Sequence, residues 1–364
     1  MTKTIAFYGS SLLSAYWNGA ATYYRGIIRA LHARGYQTTF YEPDVYDRQK
    51  NRDIDPPDWA RVVVYDGTVE ALRKVAAEAA QYDIVVKASG VGFEDDLILS
   101  EVMAAARPGA LRIFWDVDAP ATLAEMRGAP DHALRRWLPD LDMVLTYGGG
   151  EPVIAAYQGF GAKACVPVYN ALDPSTHHPV PPEPRFACDM AFLGNRLPDR
   201  DKRVAEFFTR AAALLPDQHF ILGGNGWHDV AMPGNVQKLG HVPTAQHNAL
   251  NCSPRMVLNV ARDSMAVNGF SPATRVFEAA GAGACLVTDA WEGIELFLTP
   301  NEEVLVARDG ADVAEFVRSV TPEQAQRIGQ AALRRVLAHH TYDQRAAQTD
   351  ELFRLHAARM EAAE

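Results

Sequence analysis

The sequence predicts an α/β protein of two doubly wound, Rossmann-like domains facing a cleft, and three observations predict it. Short apolar runs alternate with amphipathic stretches from the first residues onward, a proline-rich segment interrupts them near the middle, and the same alternation then resumes. Runs that are apolar on successive residues and separated by helices imply a parallel sheet covered on both faces. In the first half the strand candidates are "TIAFYG", "QTTFYEP", "RVVVYD", "YDIVVKAS", "LRIFWDVD", "DMVLTYG" and "AKACVPVYN", with helical patterns such as "ATYYRGIIRALHARG" and "TVEALRKVAAEAAQ" between them. The interruption is "DPSTHHPVPPEPRF", five prolines in fourteen residues, which reads as a linker at 173–186 with His177 and His178 in solvent. Beyond it the strand candidates are "DMAFLGN", "HFILGG", "NVQKLGH", "RMVLNVA", "ACLVTD" and "EVLVAR". Two late helices open on capping boxes, Thr321 to Gln324 with Pro322 at the first helical position, and Thr341 to Gln344. Ligands of such folds bind outside the carboxyl ends of the strands.

Composition narrows the function classes. The 364 residues suffice for two ordinary domains, and 48% hydrophobic with 22% charged residues is the balance of a globular chain. A formal charge of −10 argues against broad binding to nucleic acid or an anionic membrane, and no apolar run reaches membrane-spanning length. The four cysteines lie far apart with no CxxC, the pattern of a reduced, cytoplasmic chain without a disulfide or zinc framework.

Five segments carry candidate chemistry. In "SPATRVFEAAGAGACLVTD", Ser271 and Pro272 read as an N-cap with proline at the first helical position, after Asn268 and Gly269. Free N–H groups at such a helix start suit a phosphate. Glu278 shares a helix face with Thr274 and Arg275, so it either pairs with Arg275 or accepts hydrogen bonds from vicinal ribose hydroxyls. In "FLGNRLPDRDKR", Arg196, Arg200, Lys202 and Arg203 crowd a helix start, where cations oppose the dipole. That crowding marks either a solvated charge run or an anion site, with Arg196 or Lys202 the preferred ligands. "ILGGNGW" sets a loose glycine cluster after a strand and does not fit GxGxxG, which disfavours a nicotinamide dehydrogenase.

In "FWDVDAP", Asp116 and Asp118 end a strand, and three readings remain. They hold a metal on a nucleotide diphosphate, they cap the next helix, or they act as a metal-free active-site carboxylate, which is preferred. The loop "SSLLSAYWNGAATYYRG" offers Tyr16 and Trp17, with Asn18 and Gly19 opening a helix, either as a functional loop or as domain-interface packing.

On these residues the chain resembles the two-domain GT-B glycosyltransferases, and more narrowly the CgeB (spore-maturation protein) family. The likeness covers nearly the whole chain. It is carried by "SPATRVFEAAGAGACLVTD", "DMAFLGN", "NALDPSTHHP", "WNGAATYYRGIIRALHARGYQTTFYEPD" and "TYDQRAAQTDELF". The resemblance implies an acceptor-side domain at 1–172, the linker at 173–186, a nucleotide-sugar domain at 187–342, and a final helix at 343–364 crossing back to the first domain. It implies a UDP- or GDP-sugar donor with Glu278 on the ribose, Arg196 and Lys202 on the diphosphate, and Ser271 to Thr274 as the phosphate-facing helix start. Gly224 and His241 would lie near the base. No metal or other cofactor is implied, and the acceptor (glycan, protein or small molecule) is unnamed. In many retaining members a second glutamate stands eight residues before this one; here that position is Phe270. Asp116 or Asp118 is the substitute candidate for a base. Two alternatives accompany this reading: a nucleotide-sugar epimerase or hydrolase of the same fold, and a catalytically silent binding protein.

Overall fold

Among the described residues thirteen strands form two separate parallel sheets. The computed structural model describes residues 3–16 and 18–362. The chain divides into one unit of Met1–Tyr169 with Tyr342–Glu364 and a second of Asn170–Thr341.

In the first unit, β1 (Thr4–Tyr8), β2 (Gln37–Asp44), β3 (Arg61–Asp66), β4 (Ile84–Ala88), β5 (Leu111–Asp116), β6 (Met143–Thr146) and β7 (Cys165–Pro167) lie in the order 3-2-1-4-5-6-7. The strands are paired in parallel throughout. Each coincides with a predicted apolar run, since helices cover both faces of the inner strands, while the edge strand β3 is only partly buried. The helix Ala21–Ala33 turns Tyr23, Tyr24, Ile27, Ile28 and Leu31 into the core. The last helix, Tyr342–Glu361, packs on it, and a Cβ on Gly26 would lie 2.2 Å from the Tyr342 ring. Phe353 of that helix is buried against Tyr36, at 5.7 Å between ring centres, and the Tyr36 hydroxyl donates to Asp350 at 2.8 Å. Burying a side chain such as Phe353 contributes roughly 1.5–3 kcal/mol.

In the second unit, β8 (Met190–Leu193), β9 (Phe220–Gly223), β10 (Val236–Gly240), β11 (Met256–Asn259), β12 (Leu286–Asp289) and β13 (Leu305–Ala307) run in the order 10-9-8-11-12-13. Strand order reverses between β8 and β11, so the loops beyond their carboxyl ends frame the crevice where doubly wound sheets bind ligands. The Thr321–Gln324 capping box is formed, with the Thr321 amide donating to Gln324 at 2.8 Å. The proline-rich segment belongs to this unit and is fastened to it. The Asn248 amide donates to the Thr176 carbonyl at 2.9 Å, and the Glu183 amide donates to Ser253 at 2.8 Å. Among the described residues no helix is long and apolar enough to cross a membrane.

Candidate functional site

The helix Thr274–Gly281 follows β11 and carries Arg275 and Glu278 into the second unit's interior. It begins two residues later than Ser271 as N-cap suggests. The N-cap is Ala273, and no side chain caps the helix. The reason lies in the turn before it, where Gly269 (φ 67°) and Phe270 (φ 49°) both take left-handed backbone and the Phe270 amide donates to the Glu292 carbonyl at 2.6 Å. That turn draws Ser271 inward, and its buried hydroxyl has no hydrogen-bond partner. A phenylalanine with positive φ is strained, and such strain gathers at functional sites. The exposed Glu292 is carried by backbone touching this turn.

The geometry sets Glu278 beside Arg275, one of its two predicted partners, and beside His177. Arg275 Nη2 lies 3.8 Å from one carboxylate oxygen, and His177 Nε2 lies 3.9 Å from the other. These are ion-pair distances rather than hydrogen bonds, and among the described residues the Glu278 side chain accepts no hydrogen bond. Its side chain keeps 12% of its surface exposed. Burial pushes the carboxyl up, but His177, Arg275 and His247 outweigh it and hold the group below the usual carboxylate range. The result is a charged, nearly buried carboxylate with Arg275 and His177 at ion-pair distance.

His177 is a correction to the sequence reading, which set it in solvent. It is buried, its Nδ1 lies 3.0 Å from the Thr176 hydroxyl, and its ring centre is 6.5 Å from that of His247. His178 is exposed as expected. His247 opens the helix after β10 and donates from Nε2 to the Val242 carbonyl at 3.1 Å. Burial and the Arg275 charge push its pKa down to about 4. An unfolded histidine protonates near about 6.5. Between these values the unfolded chain binds more protons, so stability is full above about 6.5 and falls as pH falls toward 4. The urea midpoint is expected to drop from pH 6.5 to pH 5, and His247→Asn to flatten that slope. An unchanged slope in the variant would contradict the assignment.

Cations surround the same helix start. Arg275 donates to the Asn251 side-chain oxygen at 3.4 Å, while Asn251 Nδ2 is buried without a partner. Arg200, at the end of the loop after β8, donates to the Asn195 carbonyl and leaves its buried Nε unpartnered. Burial and repulsion from Arg275 hold Arg200 down at about 10. The other basic residues of this stretch are placed differently. Arg196 is held by Asp201 at 2.9 Å and faces Asp229 at 3.7 Å, Lys202 is exposed, and Arg203 pairs with the buried Asp289 at 2.5 Å. The conflict predicted between Arg196 and the helix dipole is thus met by Asp201 in the first turn, and the cation crowded against Arg275 is Arg200.

Gly224 has a packing role visible in its backbone. Its φ is 121°, and a Cβ there would lie 2.2 Å from the Gly194 carbonyl oxygen. The loops after β8 and β9 touch through this glycine, and Trp227 donates to the same carbonyl at 2.8 Å. Gly224→Ala is expected to cost about 3 kcal/mol or more. A denaturation midpoint equal to wild type would contradict this. His241 is exposed at the end of β10.

In the first unit Asp116 is fully buried, which corrects its reading as an open active-site carboxylate. It accepts from the Tyr157 hydroxyl at 2.5 Å, the Thr122 hydroxyl at 3.0 Å and the Asp118 amide at 2.9 Å. Burial raises its pKa. Asp118 occupies the N-cap position of the helix Ala119–Gly128 but makes no side-chain cap. Asn18 is buried and pins the loop after β1. It accepts from Ser10 at 2.9 Å and donates to the Ser11 and Ser14 carbonyls at 2.9 and 3.0 Å. Gly19 is exposed, Tyr16 is 45% exposed, and Trp17 lies outside the described residues. Sequence reading missed Glu42, a buried carboxylate in β2 that accepts from Ser11 at 3.0 Å and the Leu12 amide at 2.5 Å. The signal was one acid inside the otherwise apolar run "TTFYEP".

Comparison with known proteins agrees with the fold. The glycosyl transferase-like family model matches residues 200–351. No curated protein matches the chain. Among solved structures, Anabaena HepE in complex with UDP and glucose is 13% identical, with 96% of this chain and 99% of that one covered at a TM-score of 0.67. Sucrose-phosphate synthase from Thermosynechococcus elongatus is 14% identical over the full length of both chains at 0.69. The E. coli trehalose-6-phosphate protein bound with UDP-2-fluoro glucose is 10% identical over 96% and 98% at 0.68. The chain therefore has a GT-B fold, and its residues 200–351 are similar to the glycosyl transferase-like family.

Proposed function

We propose that the protein transfers a sugar from a nucleoside-diphosphate sugar to an acceptor, with the nucleotide held on the second unit. The observation that carries this is Glu278, a nearly buried, ionised carboxylate that faces Arg275 and His177 and, among the described residues, accepts no hydrogen bond. Vicinal ribose hydroxyls supply two donors to its open oxygens. Arg275, Arg200, the Ser271 hydroxyl and the uncapped helix start provide positive charge and donors for the diphosphate. Lys202 and Arg196 remain within the same segment as secondary ligands, Arg196 after release from Asp201.

Transfer breaks the bond from the anomeric carbon to the diphosphate oxygen, and charge develops on that oxygen. Fixed cations beside it lower the barrier without a divalent metal, so turnover in EDTA is part of the proposal. UDP is the first donor nucleotide to test, since HepE was solved with UDP and with UDP-glucose. Within the fold, the motif likeness points toward CgeB-type enzymes, and four free cysteines support a cytoplasmic location. Phe270 leaves the sugar end without the second glutamate, while Glu292 beside that turn offers another carboxylate.

Calorimetric titration with UDP and GDP tests the binding half. Mass spectrometry of a UDP-sugar incubated with and without candidate acceptors tests the transfer half. Binding of at least one nucleoside diphosphate with acceptor-dependent turnover is expected. Acceptor-independent conversion would replace the reading with an epimerase or hydrolase, and neither binding nor turnover would leave a silent binding protein.

A further inference from the structure

We propose that the first unit carries a carbohydrate-binding surface site of its own, in a cavity of about 250 Å³ between the helices Asp95–Ala105 and Ala133–Trp137. Its walls are Asp96, Leu97, Ser100, Asp131, Arg136 and Trp137. Nothing in the donor reading uses these residues.

The wall is built rather than accidental. Trp137 is half-buried, with one side packed on the core around Leu134 and Leu138. Its indole N–H donates to Ser100 Oγ at 3.2 Å, and Ser100 Oγ donates to the Asp96 carbonyl at 3.0 Å. The ring is therefore fixed at the cavity. His132 Nδ1 accepts from the Leu134 amide at 3.2 Å and caps the short helix, which fixes the loop bearing Asp131. Arg136 Nη2 donates to the Asp131 carbonyl at 2.9 Å, holding the guanidinium across that loop. Among the described residues the Asp131 carboxylate has no hydrogen bond or ion pair, and Asp96 has only His132 at 4.0 Å. The wall thus presents carboxylate oxygens and guanidinium N–H groups together.

Charge selects the ligand class. Two carboxylates oppose an anion, and Arg136 on the same wall opposes a metal or a polyamine. A neutral ligand rich in hydroxyls satisfies both kinds of group, since each hydroxyl donates to a carboxylate and accepts from a guanidinium. Its C–H face can lie on the fixed indole, an apolar surface with its polar handle already occupied. The volume falls just below the range of about 300–1,000 Å³ typical of drug-sized ligands, which suits one sugar ring rather than a nucleotide.

The test is saturation-transfer NMR and calorimetry of the full chain with maltotriose, cellotriose and chitotriose at millimolar concentration, the range of single-ring recognition. UDP is titrated in parallel. At least one trisaccharide is expected to bind. Asp131→Ala and Trp137→Phe should each weaken it at least tenfold, with UDP affinity and the thermal midpoint unchanged. Asp131 is exposed, so that variant keeps the fold even if the Trp137 change disturbs it. No binding of any of the three sugars, or equal binding by both variants, overturns the proposal. Loss of UDP binding by wild type would strike the donor reading alone.

Discussion

Glu278→Ala is expected to weaken UDP binding by about 100-fold or more. Two hydrogen bonds to a charged acceptor are lost, each worth roughly 1.5–3 kcal/mol, and 1.4 kcal/mol is a factor of ten. The same change leaves Arg275, whose guanidinium is drawn down by burial and supported by Glu278, without its counter-charge. Stability therefore falls too, and affinity alone cannot isolate the ribose contact. A cycle with 2′-deoxy-UDP does so. Wild type should lose about tenfold on removal of that hydroxyl, whereas the variant, having no carboxylate to receive it, should lose nothing further. An equal loss in both proteins would mean that Glu278 serves only Arg275 and His177.

Arg200→Met should abolish measurable UDP binding while leaving the unliganded protein as stable as wild type or more so. Burial lowers the Arg200 pKa most, Arg275 and Arg262 lower it further against Asp199 and Asp289, and its Nε is buried without a partner. Its guanidinium lies over Phe192, with its carbon 5.6 Å from the ring centre, and a methionine thioether is able to pack on the same ring. Removing a repelled cation relieves the empty site, whereas an anionic ligand needs that cation most. This opposition between stability and binding marks a functional site. Thermal denaturation with and without UDP checks it. A lowered midpoint with undiminished UDP stabilisation would show that Arg200 is a structural residue.

The strands were legible because each is apolar on successive residues, and the β8–β11 reversal brings the predicted helix to the crevice edge. Glu278 was legible as an acid in a helix of small residues. What composition could not convey was which neighbours fold onto it. His177 sits in a segment rich in proline, and its burial comes from a tight turn, with its amide donating to the Asp173 carbonyl at 2.9 Å, and from contact with His247. The basic cluster at 196–203 was visible, but its members differ only in three dimensions: Asp201 takes Arg196, Asp289 takes Arg203, and Arg200 is left beside Arg275. Ser271 followed by proline imitates a cap. The left-handed backbone at Phe270, packed where a Cβ on Gly293 would lie 2.3 Å from its ring, moves the helix start to Thr274. Asp116 carried a charge that promised chemistry, yet Tyr157 and Thr122, distant in sequence or one turn on, consume it in the core.

A crystal structure of the complex with UDP tests the central claim most directly. The ribose 2′ and 3′ oxygens are expected within about 3 Å of the two Glu278 carboxylate oxygens. The diphosphate should lie against Arg275, Arg200 and the start of the helix Thr274–Gly281. UDP bound elsewhere, with Glu278 still facing only Arg275 and His177, would contradict the account.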